Sequence, residues 1–194
     1  MGSGCLARGR GLADSQPGHG AVRDYSKVAP GFWTGETGRL IRACGRDAHL
    51  IAAYAITGPM ANPLGLYYLP MPTLCHETGT TLEEAKAALK RLAEIGFCFY
   101  DETHEHLWAP EMARYQISET LVPTDLRVKW IKGELLKLRK SRFFKDFIER
   151  YGDAFCLGAE LRGLAKQADD HDIVGPLEAP TETLPRPLQA PTKP

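Results

Sequence analysis

The chain carries no net charge: 24 Lys and Arg balance 24 Asp and Glu. Attraction to nucleic acid must therefore come from local clustering, because the molecule as a whole offers none. No apolar run approaches the ~18 residues that a membrane helix needs, so no membrane span is expected. The sequence also lacks a Walker-type glycine loop, a Gly-x-Ser-x-Gly elbow and a His-Glu-x-x-His helix, and with them the commonest phosphotransfer and hydrolytic sites. Cys75 beside His76 is the one nucleophile-like pair, but successive residues on a helix point about 100° apart and do not face one another. No catalytic residue is expected.

The five cysteines show no Cys-x-x-Cys spacing. An odd set without a secretory leader reads as reduced thiols in a cytoplasmic protein. Cys44, Cys75 and Cys98 fall inside predicted elements as small hydrophobes. Cys75, His76, His104 and His106 are of metal-ligating type but lack the paired spacing of a zinc site, so neither metal nor cofactor is expected.

Both ends are poor in core-forming residues. Residues 1–22 include six glycines and few large apolar side chains, the composition of a disordered extension. Six prolines fall within the last twenty residues, and residues 158–194, including the acidic Asp169-Asp-His-Asp172, are expected to form a Pro-rich, unstructured tail.

Between these ends the chain organises around Thr73 to Glu94. A first helix over 73–78, Gly79 at a turn that requires positive φ, and a second helix opening at Thr81 give a helix-turn-helix pattern. Thr81 and Glu84 have capping-box spacing. Leu82, Ala85, Leu89 and Leu92 mark an inward face, while Glu83, Lys86, Lys90, Arg91 and Glu94 face water. Gly96 ends this helix. Phe97-Cys-Phe-Tyr100 and His106-Leu-Trp-Ala109 then flank a polar segment, 101–105, as a hairpin. Upstream, Asp47 to Ile56 reads as an almost wholly apolar, buried helix and Gly65 to Pro70 as a strand. Tyr25 to Trp33 reads as a short extended segment, followed by helical spacing at Leu40, Ile41 and Cys44. The expected architecture is mainly α with a small three-stranded antiparallel sheet. Helix, strand, helix, helix, strand, strand is the order of a winged helix-turn-helix over 25–116, with 101–105 as the wing.

A second feature follows it. Between Arg127 and Lys145 stand Arg127, Lys129, Lys132, Lys137, Arg139, Lys140, Arg142 and Lys145 against Glu134 alone, eight bases to one acid. Val128, Ile131, Leu135 and Leu138 keep helical spacing through that run. A basic amphipathic helix is expected there, within a helical extension over 122–157 that Phe143, Phe144, Phe147, Ile148 and Tyr151 prolong.

Lys27-Val-Ala-Pro-Gly-Phe-Trp-Thr34, the Asp47-Ala-His-Leu-Ile-Ala-Ala-Tyr54 helix, Asn62 to Pro70, the Thr81-Leu-Glu-Glu-Ala helix and Gly96 to Asp101 together resemble bacteriophage and prophage replication-initiation, or replisome-organiser, proteins with an N-terminal winged helix. Trp108 to Gln116, Arg127-Val-Lys-Trp-Ile-Lys-Gly-Glu134 and Phe143 to Tyr151 extend the resemblance over about 25–155. It implies binding of an origin or of single-stranded DNA in the cytoplasm of a bacterial host, and recruitment of a host helicase loader or another replisome protein.

On this reading Lys86, Lys90 and Arg91 of the second helix contact phosphate, together with Arg127, Lys129, Lys132, Lys137, Arg139 and Lys140. About six such contacts imply a roughly thousandfold or greater loss of affinity from 50 to 200 mM salt. Two features depart from a simple groove reader: Glu83 and Glu84 occupy the first turn of the recognition helix, and Asp101, Glu102 and Glu105 make the wing acidic. They suit an alternative, a winged-helix module that docks a replication or regulatory protein without touching DNA. A winged-helix transcriptional regulator, expected to dimerise, is a third reading. As purely structural alternatives, the cations of the second helix pair with neighbouring glutamates on a solvated face, and the 127–145 run is a docking helix with basic flanks.

Overall fold

The computed structural model describes residues 25–168. The expectations for 1–22, for the acidic cluster at 169–172 and for the Pro-rich segment beyond it lie outside the described residues. Within them the chain is mainly helical with one three-stranded antiparallel sheet. Helices α1 (Gly31–Thr34), α2 (Glu36–Ala43) and α3 (Arg46–Thr57) precede strand β1 (Leu66–Tyr68), helices α4 (Met71–Thr78) and α5 (Leu82–Glu94), and strands β2 (Phe99–Asp101) and β3 (His106–Trp108). Helices α6 (Met112–Gln116), α7 (Leu126–Lys137), α8 (Phe144–Tyr151) and α9 (Gly158–Ala168) follow. The strands are ordered β1-β3-β2, an arrangement compatible with a winged helix-turn-helix.

Local chemistry accounts for the central elements. Gly79 closes α4 in the left-handed region at φ 68°, where a side chain would be strained. The capping box at α5 is complete: the Glu84 amide donates to Thr81 Oγ1 at 3.3 Å and the Thr81 amide to Glu84 Oε2 at 2.8 Å. These bonds also hold the Glu84 carboxyl below its ordinary pKa, the backbone bond from Thr81 contributing most.

Several boundaries differ from the sequence reading, each for a local reason. Helix α4 begins at Met71 and not Thr73, because Pro72 sits in its first turn, where no intrahelical amide is needed. Phe32 and Trp33 lie in the helical turn α1, seeded by Pro30 in the helical region, and not in an extended segment. Leu82 is half exposed; the inward face of α5 is Ala85, Ala88, Leu89 and Leu92. The basic helix stops at Lys137, so Arg139, Lys140 and Arg142 lie in a turn. That turn is held by the buried Ser141, whose amide donates to the Leu138 carbonyl at 2.9 Å and whose Oγ accepts from the Phe143 amide at 3.3 Å. A serine that satisfies backbone groups locally competes with helix continuation. Finally, Gly158–Ala168, expected to be unstructured, is helix α9, with Leu161 and Ala165 buried one turn apart.

The sheet sits between two apolar clusters. Register sets Leu66, Trp108 and Phe99 side by side and, one step along, Tyr67, Leu107 and Tyr100. Because strand side chains alternate between faces, the second row points into a core with Ile51, Leu74, Leu89 and Leu92, formed by α3, α4 and α5. The first row points into another with Ile131, Leu135, Phe143, Phe147, Tyr151 and Phe155, formed by α7, α8 and the segment after α8. Polar ties reinforce the second layer: Tyr151 Oη donates to the Pro110 carbonyl at 2.6 Å and the Leu121 amide to the Ala154 carbonyl at 2.7 Å. The C-terminal helices are a layer of the same body, using their apolar side to cover the sheet.

Phe147 is completely buried in that layer. Phe147→Ala should cost about 3–5 kcal/mol in urea denaturation. Because both cores share the sheet, circular dichroism and tryptophan fluorescence should still report one common midpoint; two separate transitions would show that the layers are independent.

Candidate nucleic-acid interface

Nine cations were expected to meet phosphate, and the structure divides them. On α5, Lys86 is paired with Glu102 of the wing at 2.6 Å. Arg91 donates through Nη1 to the Cys44 carbonyl at 2.9 Å, bracing the end of α2. Lys90 is exposed and, among the described residues, has no acidic partner. Glu83 is exposed in the first turn of the same helix. The face of α5 beyond the sheet therefore presents one cation without an acidic partner among the described residues, Lys90, and an exposed carboxylate, Glu83, about two turns from it.

The wing carboxylates are engaged in structure. Asp101 is buried, accepting from the Thr103 amide at 3.0 Å and lying 2.8 Å from His104 Nδ1. Glu105, at φ 52°, accepts from Tyr68 Oη at 2.8 Å while its carbonyl accepts from the Leu69 amide at 2.7 Å. The wing thus closes on itself and on β1. Its imidazoles share this role: His106 sits on the sheet with its pKa lowered, chiefly by burial.

The second group of cations differs. Arg127 grips Asp125 with Nη2 at 2.7 Å and donates to the Ile117 carbonyl at 3.1 Å, fixing the start of α7, where Asp125 also accepts the Arg127 amide. It is a structural clamp. Lys137 pairs with Glu134 at 2.7 Å on the surface, a contact worth little in water and easily exchanged. Lys129, Lys132, Arg139 and Lys140 form no ion pair or hydrogen bond among the described residues. Lys129 and Lys132, three residues apart, lie on one flank of α7 and line a cleft of about 320 Å³ with Pro123, Thr124 and Leu126. Arg139 and Lys140 continue from the end of that helix into the turn. The turn finishes at Phe143, which lines an open groove of about 440 Å³ with Lys86, Ala87, Lys90 and Tyr100. The uncompensated positive charge thus lies on α7 and the following turn, with Lys90 on a groove that the same turn borders.

Sequence reasoning overlooked Trp130. It lies on the outer side of α7, away from the buried stripe of Val128, Ile131 and Leu135. The signal was available: an indole placed out of phase with an inward 3–4 spacing.

The buried thiol of Cys98 is pushed up to about 12 by desolvation, so it takes no part in surface chemistry.

Burial alone would raise the Asp101 carboxyl, but the His104 hydrogen bond, the Thr103 amide and the charges of His104 and Arg142 together bring it below the ordinary carboxylate value. A folded-state pKa below the unfolded value of about 3.9 gives stability that is complete above that value and is lost as pH falls through the folded pKa. Asp101→Asn should therefore destabilise the protein by about 1–2 kcal/mol at pH 7, and the gap to the parent should close as denaturation is repeated at progressively lower pH down to about 2.

Among the described residues no helix is long and apolar enough to cross a membrane. Searches against protein-family models, curated proteins and solved structures found no match to this chain.

Proposed function

We propose that this chain is a DNA-binding protein of the phage replication-initiation type, acting in the cytoplasm of a bacterial host, and that it holds the DNA backbone on α7 and the α7–α8 turn. The observation that carries the site is the contrast in charge compensation. Lys129, Lys132, Arg139 and Lys140 have no acidic partner among the described residues, whereas Lys86, Arg91 and Arg127 are occupied by Glu102, the Cys44 carbonyl and Asp125. A cation that already holds a carboxylate or carbonyl must give up that contact before it can neutralise phosphate. A solvated cation releases a condensed counterion from the DNA at no such cost. The replication role rests on the resemblance described above, as does a helicase loader or other replisome protein as partner.

One observation favours a protein contact at the other end of the molecule. Leu82 is half exposed beside the exposed Glu83 at the start of α5, which suits a docking partner better than a phosphate backbone. The two contacts are compatible, because they use different elements.

Fluorescence anisotropy with labelled single-stranded and duplex oligonucleotides tests the assignment. Four phosphate contacts imply a fall in affinity of roughly 50- to 150-fold between 50 and 200 mM salt. Joint replacement of Lys129, Lys132, Arg139 and Lys140 by Glu should abolish binding, while Lys86→Ala should leave it within about twofold. Binding that survives the fourfold change, or that is lost with Lys86 alone, would overturn the assignment.

A further inference from the structure

Phosphate contacts alone do not distinguish one nucleic-acid form from another, but α7 carries a side chain that does. Trp130 is 41% exposed and Leu126, one turn before it, is 87% exposed. The other two tryptophans are engaged: Trp33 lies against Phe32 and His49, with ring centroids 5.2 and 4.7 Å away, and Trp108 is packed between Phe99 and Phe143. Trp130, in contrast, has no ring contact or hydrogen bond among the described residues. The exposed part of this indole is apolar surface that no other ring covers among the described residues.

Its surroundings match the chemistry of a nucleic-acid strand. Lys137 lies two turns along the same side of the helix, paired with Glu134 one turn before it, and Lys129 and Lys132 lie on the neighbouring flank. Gly133, three residues on, occupies the same outer side, where an added Cβ would meet nothing within 4 Å. Glycine is among the weakest helix formers and packing does not require it here. Its effect is to leave the surface next to the indole free of any side chain, so that a planar group has room beside the ring.

We infer that Trp130 is a base-stacking platform, and that the α7 surface takes single-stranded nucleic acid in preference to duplex. The inference rests on the phosphate-binding role proposed for the same helix and adds the identity of the strand. A base presents its face to an aromatic ring only when it is unpaired and splayed from its neighbours; in a duplex both faces are covered by stacking. Cations along the helix then hold the phosphates while the indole holds a base, the combination by which single strands are bound without sequence preference. Charge complementarity selects this occupant: Lys129 and Lys132 on the flank of α7 and Arg139 and Lys140 in its turn have no acidic partner among the described residues, against the paired Glu134.

The test compares four probes at one salt concentration: a labelled oligothymidylate, a strand of the same length with abasic sites throughout, a duplex of matched length, and vesicles of phosphatidylserine and phosphatidylcholine. The parent should bind oligothymidylate most tightly and the abasic strand more weakly, although the phosphates are the same. Trp130→Ala should weaken oligothymidylate binding about 5- to 150-fold without changing its salt slope, because no charge is removed, and should leave the abasic strand unaffected. Trp130→Phe should restore most of the loss. Since the indole is exposed, the thermal midpoint should hardly move, which separates lost stacking from lost fold.

Equal affinity for abasic and base-bearing strands, or an unchanged Trp130→Ala, would overturn the stacking role while leaving salt-dependent phosphate binding in place. Duplex bound as tightly as single strand would overturn the preference. Binding to the vesicles through Trp130 without binding to any oligonucleotide would overturn both this inference and the reading it rests on, and would assign the helix to an anionic lipid surface.

Discussion

Everything in the described part of the chain depends on the burial of a small sheet on both faces. Three strands of three residues each make few backbone hydrogen bonds, and a sheet of this size gains independent stability only by packing against other elements. Here Tyr67, Leu107 and Tyr100 face α3, α4 and α5, while Leu66, Trp108 and Phe99 face α7 and α8. Removing the C-terminal layer would open Trp108 and Leu66 to water. The helices after residue 122 are thus bound to the fold by the same hydrophobic term that holds α3, α4 and α5 to the sheet.

That constraint determines which surface remains for function. Helix α7 must turn Val128, Ile131 and Leu135 inward, so its outer flank alone is free to meet a partner. The turn after Lys137 swings Phe143 and Phe144 onto the second core and leaves Arg139 and Lys140 at the surface. On the opposite layer Lys86 of α5 is paired with Glu102, and Asp101 is buried against His104 and the Thr103 amide, which leaves Lys90 as the cation of α5 with no partner among the described residues. The helix that would enter a groove in a winged-helix reader, α5, is less electropositive than α7. In the proposed reading the helix-turn-helix serves as scaffold and protein contact, and the layer added behind the sheet meets the nucleic acid.

Much of this was legible from local pattern. Thr81 and Glu84 specify the start of α5 because both partners lie within one turn, and Gly79 marks the end of α4 because its conformation excludes other residues. The sheet followed from alternation and from the polar segment between two aromatic runs. What stayed hidden was non-local or depended on a single competing bond. Leu138 continues the helical spacing of α7, and nothing in periodicity reveals that Ser141 will bond the backbone and end the helix early. Charge compensation was hidden for the same reason: Lys86 meets Glu102 sixteen residues away and Arg91 meets Cys44 forty-seven away. Counting basic residues could not separate the five cations that have no partner among the described residues, Lys90 included, from those already committed. Helix α9 was obscured by the prolines that follow it, although Leu157, Leu161, Leu164 and Ala165 have helical spacing.

Amide chemical-shift mapping of the full chain, with a short single-stranded oligonucleotide added at low salt, tests the central claim most directly because it locates the contact without altering a residue. The account predicts shifts concentrated in 126–140, with the indole N–H of Trp130 among the largest, and little change at 82–94 or 101–105. Shifts centred on α5 and the wing, or none anywhere, would contradict it.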